Sequence, residues 1–102
     1  MNVDILVKVS GNARSIPVVI LEHFDYNFPL KLTNGEWSGS LSNFQVDTDN
    51  KLDYALVISG PVRQKFKVSI SVKYANGVKT KESTGVFGPK GWAILKDELE
   101  IY

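Results

Sequence analysis

From Phe66 to Tyr74 the chain reads FKVSISVKY, with Phe66, Val68, Ile70, Val72 and Tyr74 at every second position and lysine or serine between them. A side-chain period of two belongs to a β-strand, whose successive Cβ atoms point to opposite faces. Wound as a helix, the same residues would scatter round the axis. The segment therefore requires a sheet with one apolar face and a second layer to cover it. Val3, Ile5, Val7 and Val9 repeat the pattern, with Asp4 and Lys8 on the other side. Ile16 to Leu21 is apolar on both faces, which suits a central strand or one covered on each side, with Pro17 near its start. Phe24, Tyr26 and Phe28 alternate with Asp25 and Asn27 up to Pro29, and Tyr54 to Ile58 forms a further strand.

Turn signals punctuate these strands at close intervals. Asn34-Gly35 marks a two-residue hairpin that places Leu32 opposite Trp37 and Leu30 opposite Gly39, giving an apolar inner face. Leu41 keeps that parity while Phe44 and Val46 switch it, which implies a bulge near Ser42 and Asn43. In FGPKGW, Pro89 suits the second and Gly91 the fourth position of a turn. For KYANGVKTK, residues 73–81, a two-residue Asn76-Gly77 loop would set Lys79 and Lys81 against Tyr74 and Val72. A three-residue loop, Ala75-Asn76-Gly77, instead pairs Tyr74 with Val78, Val72 with Thr80 and Phe66 with Val86. We expect the second register, which brings Glu82 beside Ile70 but keeps the lysines outside. The tail from Trp92 has both helical and strand spacing, and a final strand is expected.

Seven or eight short strands in 102 residues describe a single all-β domain spanning residues 1–102, an antiparallel β-sandwich of immunoglobulin-like or jelly-roll-like type. Composition removes several classes of function. A formal charge of +1 gives no global pull toward nucleic acid or anionic membrane. Without cysteine there is no disulfide, thiolate chemistry or Cys-based zinc site, and compartment stays open. The longest apolar run, IPVVIL, is too short to span a bilayer, and the N-terminus lacks a signal-peptide pattern, so a soluble chain is expected.

Charge is biased locally. Six basic residues (Arg63, Lys65, Lys67, Lys73, Lys79 and Lys81) and no acid lie between Tyr54 and Lys81, whereas seven of the eleven acids precede Tyr54. In the expected register Lys73 and Lys79 are cross-strand neighbours on the outer face, with Lys81 beside them. Two roles follow: an anion site built on Lys73, Lys79 and Lys81, or lysines that deter pairing of an exposed strand with another chain. The second is favoured, because Phe66 and Tyr74 point away from the lysines, whereas nucleic-acid sheets combine basic and aromatic groups on one face. His23 is the only histidine, and no G-x-S-x-G pattern accompanies it, so no catalytic residues and no enzyme are expected. Asp47, Asp49 and Asp53 supply hard oxygen ligands but depart from the EF-hand loop, since Lys51 takes a ligand position and the central glycine is missing. They are weak metal candidates, and no cofactor is expected. Trp92 and Trp37 each follow a turn, where an aromatic ring can stack on a sugar or sit at a lipid headgroup, and Tyr26 is a third such candidate.

The order of GEWSG, the SVKYANG hairpin and FGPKGW is similar in layout to aegerolysin- and actinoporin-like membrane-binding sandwiches. That resemblance implies a lipid-binding alternative. From the residues themselves the first expectation is a non-enzymatic recognition module, with loops at one end of the sandwich contacting a carbohydrate or a protein. The second is an assembly subunit that self-associates into a homo-oligomer through a sheet face or edge. An exposed aromatic flanked by Asn, Asp or Gln in a concavity would mark a sugar site, and an apolar patch above about 600 Å² an assembly surface. Nucleic acid is disfavoured as a partner.

Overall fold

The computed structural model describes residues 2–22, 24–26, 28–46 and 51–101, with the side chains of residues 24–26 outside the description. Among the described residues there are nine strands: β1 (Asn2–Ser10), β2 (Ser15–Leu21), β3 (Phe24–Tyr26), β4 (Lys31–Thr33), β5 (Glu36–Gln45), β6 (Lys51–Ser59), β7 (Lys65–Tyr74), β8 (Gly77–Val86) and β9 (Trp92–Glu100). They form two antiparallel sheets, in the orders β4-β5-β1-β7-β8 and β3-β2-β6-β9. The chain is all-β and the layers make a β-sandwich. Of the two spacings the tail carries, the strand is the one adopted, and β3 and β4 are only three residues each, which raises the count above seven or eight.

Period-two alternation decides the core. Val3, Ile5, Val7 and Val9 of β1 and Phe66, Val68, Ile70 and Val72 of β7 are buried, and Leu52, Tyr54, Leu56 and Ile58 of β6 face them from the other sheet. Fully burying side chains of this size stabilises by about 1.5–3 kcal/mol each before entropy is counted. β2 is a central strand between β3 and β6, which explains why both its faces are apolar. Its register shifts between Ser15 and Val18, and the bulge accommodates Pro17, which has no N–H to give to the ladder.

The Asn34-Gly35 hairpin pairs Leu32 with Trp37, and both turn residues have positive φ (52° and 79°), as a primed turn demands. Its apolar face is not wholly inward, for Leu32 on the edge strand β4 is exposed. The expected bulge lies opposite Asp4: Val3 pairs with Phe44 and Ile5 with Leu41. Asn43 takes φ 57°, and its N–H donates to Asp4 Oδ1 at 3.1 Å. In the turn after Phe87, the Gly91 N–H donates to the Gly88 carbonyl at 3.0 Å with Pro89 in second position.

The β7–β8 register differs from the sequence expectation. The loop is Ala75-Asn76, so Tyr74 pairs with Gly77, Lys73 with Val78, Val72 with Lys79, Ile70 with Lys81, Val68 with Ser83 and Phe66 with Gly85. Lys79 and Lys81 therefore share the inward parity, while Glu82 stands on the outer face opposite Ser69, 3.3 Å from Lys67. Packing at the far end of the hairpin explains the choice. Phe66 stacks at a tilt on the buried Phe87, centroids 4.8 Å apart, and its ring covers Gly85 so closely that a Cβ there would lie 2.6 Å from Cζ. Only glycine fits opposite Phe66. The alternative register would have put Val86 in that place.

Gly85→Ala should cost about 1–3 kcal/mol, the usual penalty for overpacking a filled core, because Phe66 is wedged against Phe87. Urea denaturation would show a lower midpoint at an unchanged slope, and an unchanged midpoint would contradict this packing.

Candidate functional site

Two surface features bring chemically informative residues together. The first is the outer face of the four-stranded sheet. Register places Val18, Val57 and Ile94 in one cross-strand row and Ile20, Ala55 and Lys96 in the next, while Trp92 lies opposite Ser59 on the same face. Adjacent strands are about 4.8 Å apart, so each row is continuous. Ile94 is 76% exposed and Trp92 51%, with Val18, Val57, Ile20 and Ala55 half-buried beside them. A half-open depression of about 960 Å³ adjoins this strip, lined by Ile20, Glu22, Asp53, Ala55, Lys96 and Glu98. Glu22 is buried there with φ 62°. Its N–H donates to the Asp53 carbonyl at 2.7 Å, and its Oε1 accepts the Asp53 N–H at 3.1 Å. Glu22 thus extends the ladder past the end of β2.

The second feature is the long edge where β8 and β9 approach. Among the described residues they are the only strands of opposite sheets whose backbones come within 8 Å. Lys81 reaches across. Its Nζ donates to Asp97 Oδ1 at 2.9 Å and to the Glu98 carbonyl at 3.0 Å. Asp97 Oδ1 also accepts the Glu98 N–H at 2.8 Å, and Ser83 donates to Oδ2 at 3.5 Å. Asp97 has inward parity because it pairs with the buried Tyr54. The Lys81 ammonium holds the Asp97 carboxyl below the usual carboxylate range, helped by the Glu98 N–H. The same bond raises Lys81 above its ordinary value. Burial pushes the Tyr54 hydroxyl up, against the pull of Ser83.

The lysine cluster expected from the sequence does not form. Lys73 points outward opposite Val78, Lys79 has the inward parity opposite Val72, and Lys81 is spent on Asp97. Trp37 is half-buried on the inner side of β5, and its Nε1–H donates to the Ala13 carbonyl at 2.7 Å, which anchors the loop before β2. Among the described residues Trp92 is the exposed aromatic. Tyr26 pairs through its backbone with Val19, and its side chain lies outside the described residues, as do His23, Asp47 and Asp49. Asp53 lies on the outer face of β6, and no group of three His, Asp or Glu able to hold a metal ion occurs among the described residues. Sequence reasoning missed Asp97 and Ile94. The inward parity of Asp97 between Leu95 and Leu99 was the available signal, since a carboxylate in that row needs a cation from the facing sheet.

No protein-family model matches the chain, and no curated protein and no solved structure matches it.

The ion pair sets a pH window. Asp97, with its folded value lowered, contributes stability above the unfolded value of about 3.9 and loses it as pH falls through the folded value. Lys81, with its folded value raised, contributes below about 10.4 and loses it as pH rises through the folded value. The difference in melting temperature between the wild type and Asp97→Asn should therefore be constant near neutrality and shrink below about pH 4. A difference that is flat down to pH 2 would contradict it.

Proposed function

We propose that this chain is a non-enzymatic protein-binding domain that docks the outer face of its four-stranded sheet against an apolar surface of another protein. The observation that carries the reading is the exposure of Ile94 and Trp92 on one face, continuous through Val57 with Val18. Isolated exposed hydrophobics are ordinary on protein surfaces, but a contiguous apolar strip on a pleated, rigid sheet is the form of a contact surface. Large apolar side chains at the centre of such a patch carry most of the binding energy, and tryptophan is enriched among them. On this reading the contact lies on a sheet face, as in the second of the sequence expectations, rather than on the loops of the first.

Three observations weigh against the other readings. Trp92 is bordered by Ile94 and Ser59 and is not part of the depression that holds Asp53 and Glu98, so the polar ring expected of a sugar-stacking aromatic is not assembled around it. Lys73 and Lys79 diverge to opposite faces, which removes the pair that an anionic ligand would bridge. The lipid reading shares Trp92, but Lys96, Glu98 and Glu100 follow it on the same face, and two of these three repel an anionic membrane.

A photoreactive residue at position 94 should crosslink to a protein in the source cells, whereas the same residue at position 73, on the outer face of the other sheet, should not. Changing Trp92 to Ala should reduce the crosslink several-fold. Equal labelling from 94 and 73, or none from 94, would end this reading.

A further inference from the structure

The long edge of β9 is closed in an uneven way. Asp53, the partner of Glu98 on β6, gives its own N–H and C=O to Glu22 on its other side, so Asp53 and Glu98 form a non-hydrogen-bonded pair. The backbone groups of Glu98 therefore point away from β6, to the free edge, and by period two so do those of Trp92, Ile94, Lys96 and Glu100. Two of these positions are occupied. The Trp92 carbonyl accepts the Gly88 N–H at 2.9 Å, and at Glu98 the N–H goes to Asp97 and the C=O to Lys81. Ile94 and Lys96, between them, meet no further strand among the described residues.

We propose that the Lys81–Asp97 pair is a clasp on a strand-addition edge, and that the strand it excludes is β9 of a second copy of this chain. An edge strand with open N–H and C=O groups is a template for another strand, and inward-pointing charges are one device that blunts it. Lys81 and Asp97 are such charges, and here they do more than repel, because they occupy the backbone groups that an incoming strand would need.

Charge complementarity identifies the occupant. In an antiparallel ladder, residues whose backbone groups face the gap must pair with residues of the same kind, so the two-fold axis of a β9–β9 pair passes through a residue. An axis through Lys96 sets two lysines directly opposite each other, which is destabilising. An axis through Asp97 pairs Lys96 with Glu98 of the second copy twice over, Leu95 with Leu99, and Ile94 with Glu100. That register needs the backbone of Glu98, which the clasp withholds, and it sets the two Asp97 side chains face to face. Both obstacles lie in the clasp.

The test is sedimentation velocity of the double variant Lys81→Met, Asp97→Val beside the wild type at equal concentration. The expected result is a doubling of the sedimenting mass relative to the wild type, reversed by adding Lys96→Glu, which turns both Lys96–Glu98 pairs into repulsions. A folded double variant that sediments as the wild type does would overturn the proposal, as would association that survives Lys96→Glu. Hydrogen exchange on the wild type keeps the question open to decision if the variant does not fold: the Glu98 amide should exchange much more slowly than those of Ile94 and Lys96, and equal rates would overturn the clasp. Trp92→Ala, which probes the sheet face, should leave every one of these outcomes unchanged.

Discussion

The Phe66 ring lies over Gly85 and against Phe87, and this contact sets the position of the whole edge strand β8. Because side chains alternate, a slip of one residue would exchange Lys79, Lys81, Ser83 and Gly85 for Val78, Thr80, Glu82 and Thr84 on the inward side. One crowded end of a hairpin thus determines the charge pattern along its length. The inward row that results is unusual for a sandwich, since it is polar from Ser83 to Lys79. It is tolerated because β8 stands at the border of its sheet, where a lysine can lay its stem on apolar surface and keep its ammonium near water.

From that register follows the closure of the sandwich. Lys81 crosses to Asp97, Ser83 donates to the same carboxylate, and the two sheets come together along β8 and β9. A half-exposed ion pair contributes little to stability in general. Its importance here is positional, since it satisfies the N–H and the C=O of Glu98 on a strand that has a neighbour on one side only. The short edge strands β3 and β4 have little backbone to protect, whereas β8 and β9 are long, and the guarding charges are found on those two.

The two surfaces of β9 therefore have opposite characters. Its free edge is guarded, while its outward face continues an apolar strip from Val18 through Val57 to Ile94 and Trp92. Contact through a sheet face leaves the hydrogen-bonding of the sheet intact and is limited by the size of the partner, whereas contact through an edge can propagate. A domain that must bind without polymerising would need both properties in adjacent places, and β9 supplies them on neighbouring sides of one strand.

Much of the architecture was legible in the chain. The alternation in β1 and β7, the apolar run of β2, the Asn34-Gly35 turn and the parity switch before Phe44 each have a local physical cause, so the strands, one hairpin register and the bulge could be read from neighbours in sequence. Trp92 and Trp37 were both candidates in the sequence, and the structure separates them, exposing Trp92 and turning Trp37 inward. The β7–β8 register escaped, because keeping lysines outside is a sound rule only until a facing carboxylate is known, and Asp97 stands 16 residues away from Lys81 on the other sheet. Likewise the apolar strip joins residues of β2, β6 and β9 that no window of sequence contains. Local alternation determined that this chain would stack two sheets; which lysine turns inward, and which hydrophobic residues share the outer face, was decided only when distant strands met, since pairing partners and facing charges are properties of the assembled sandwich.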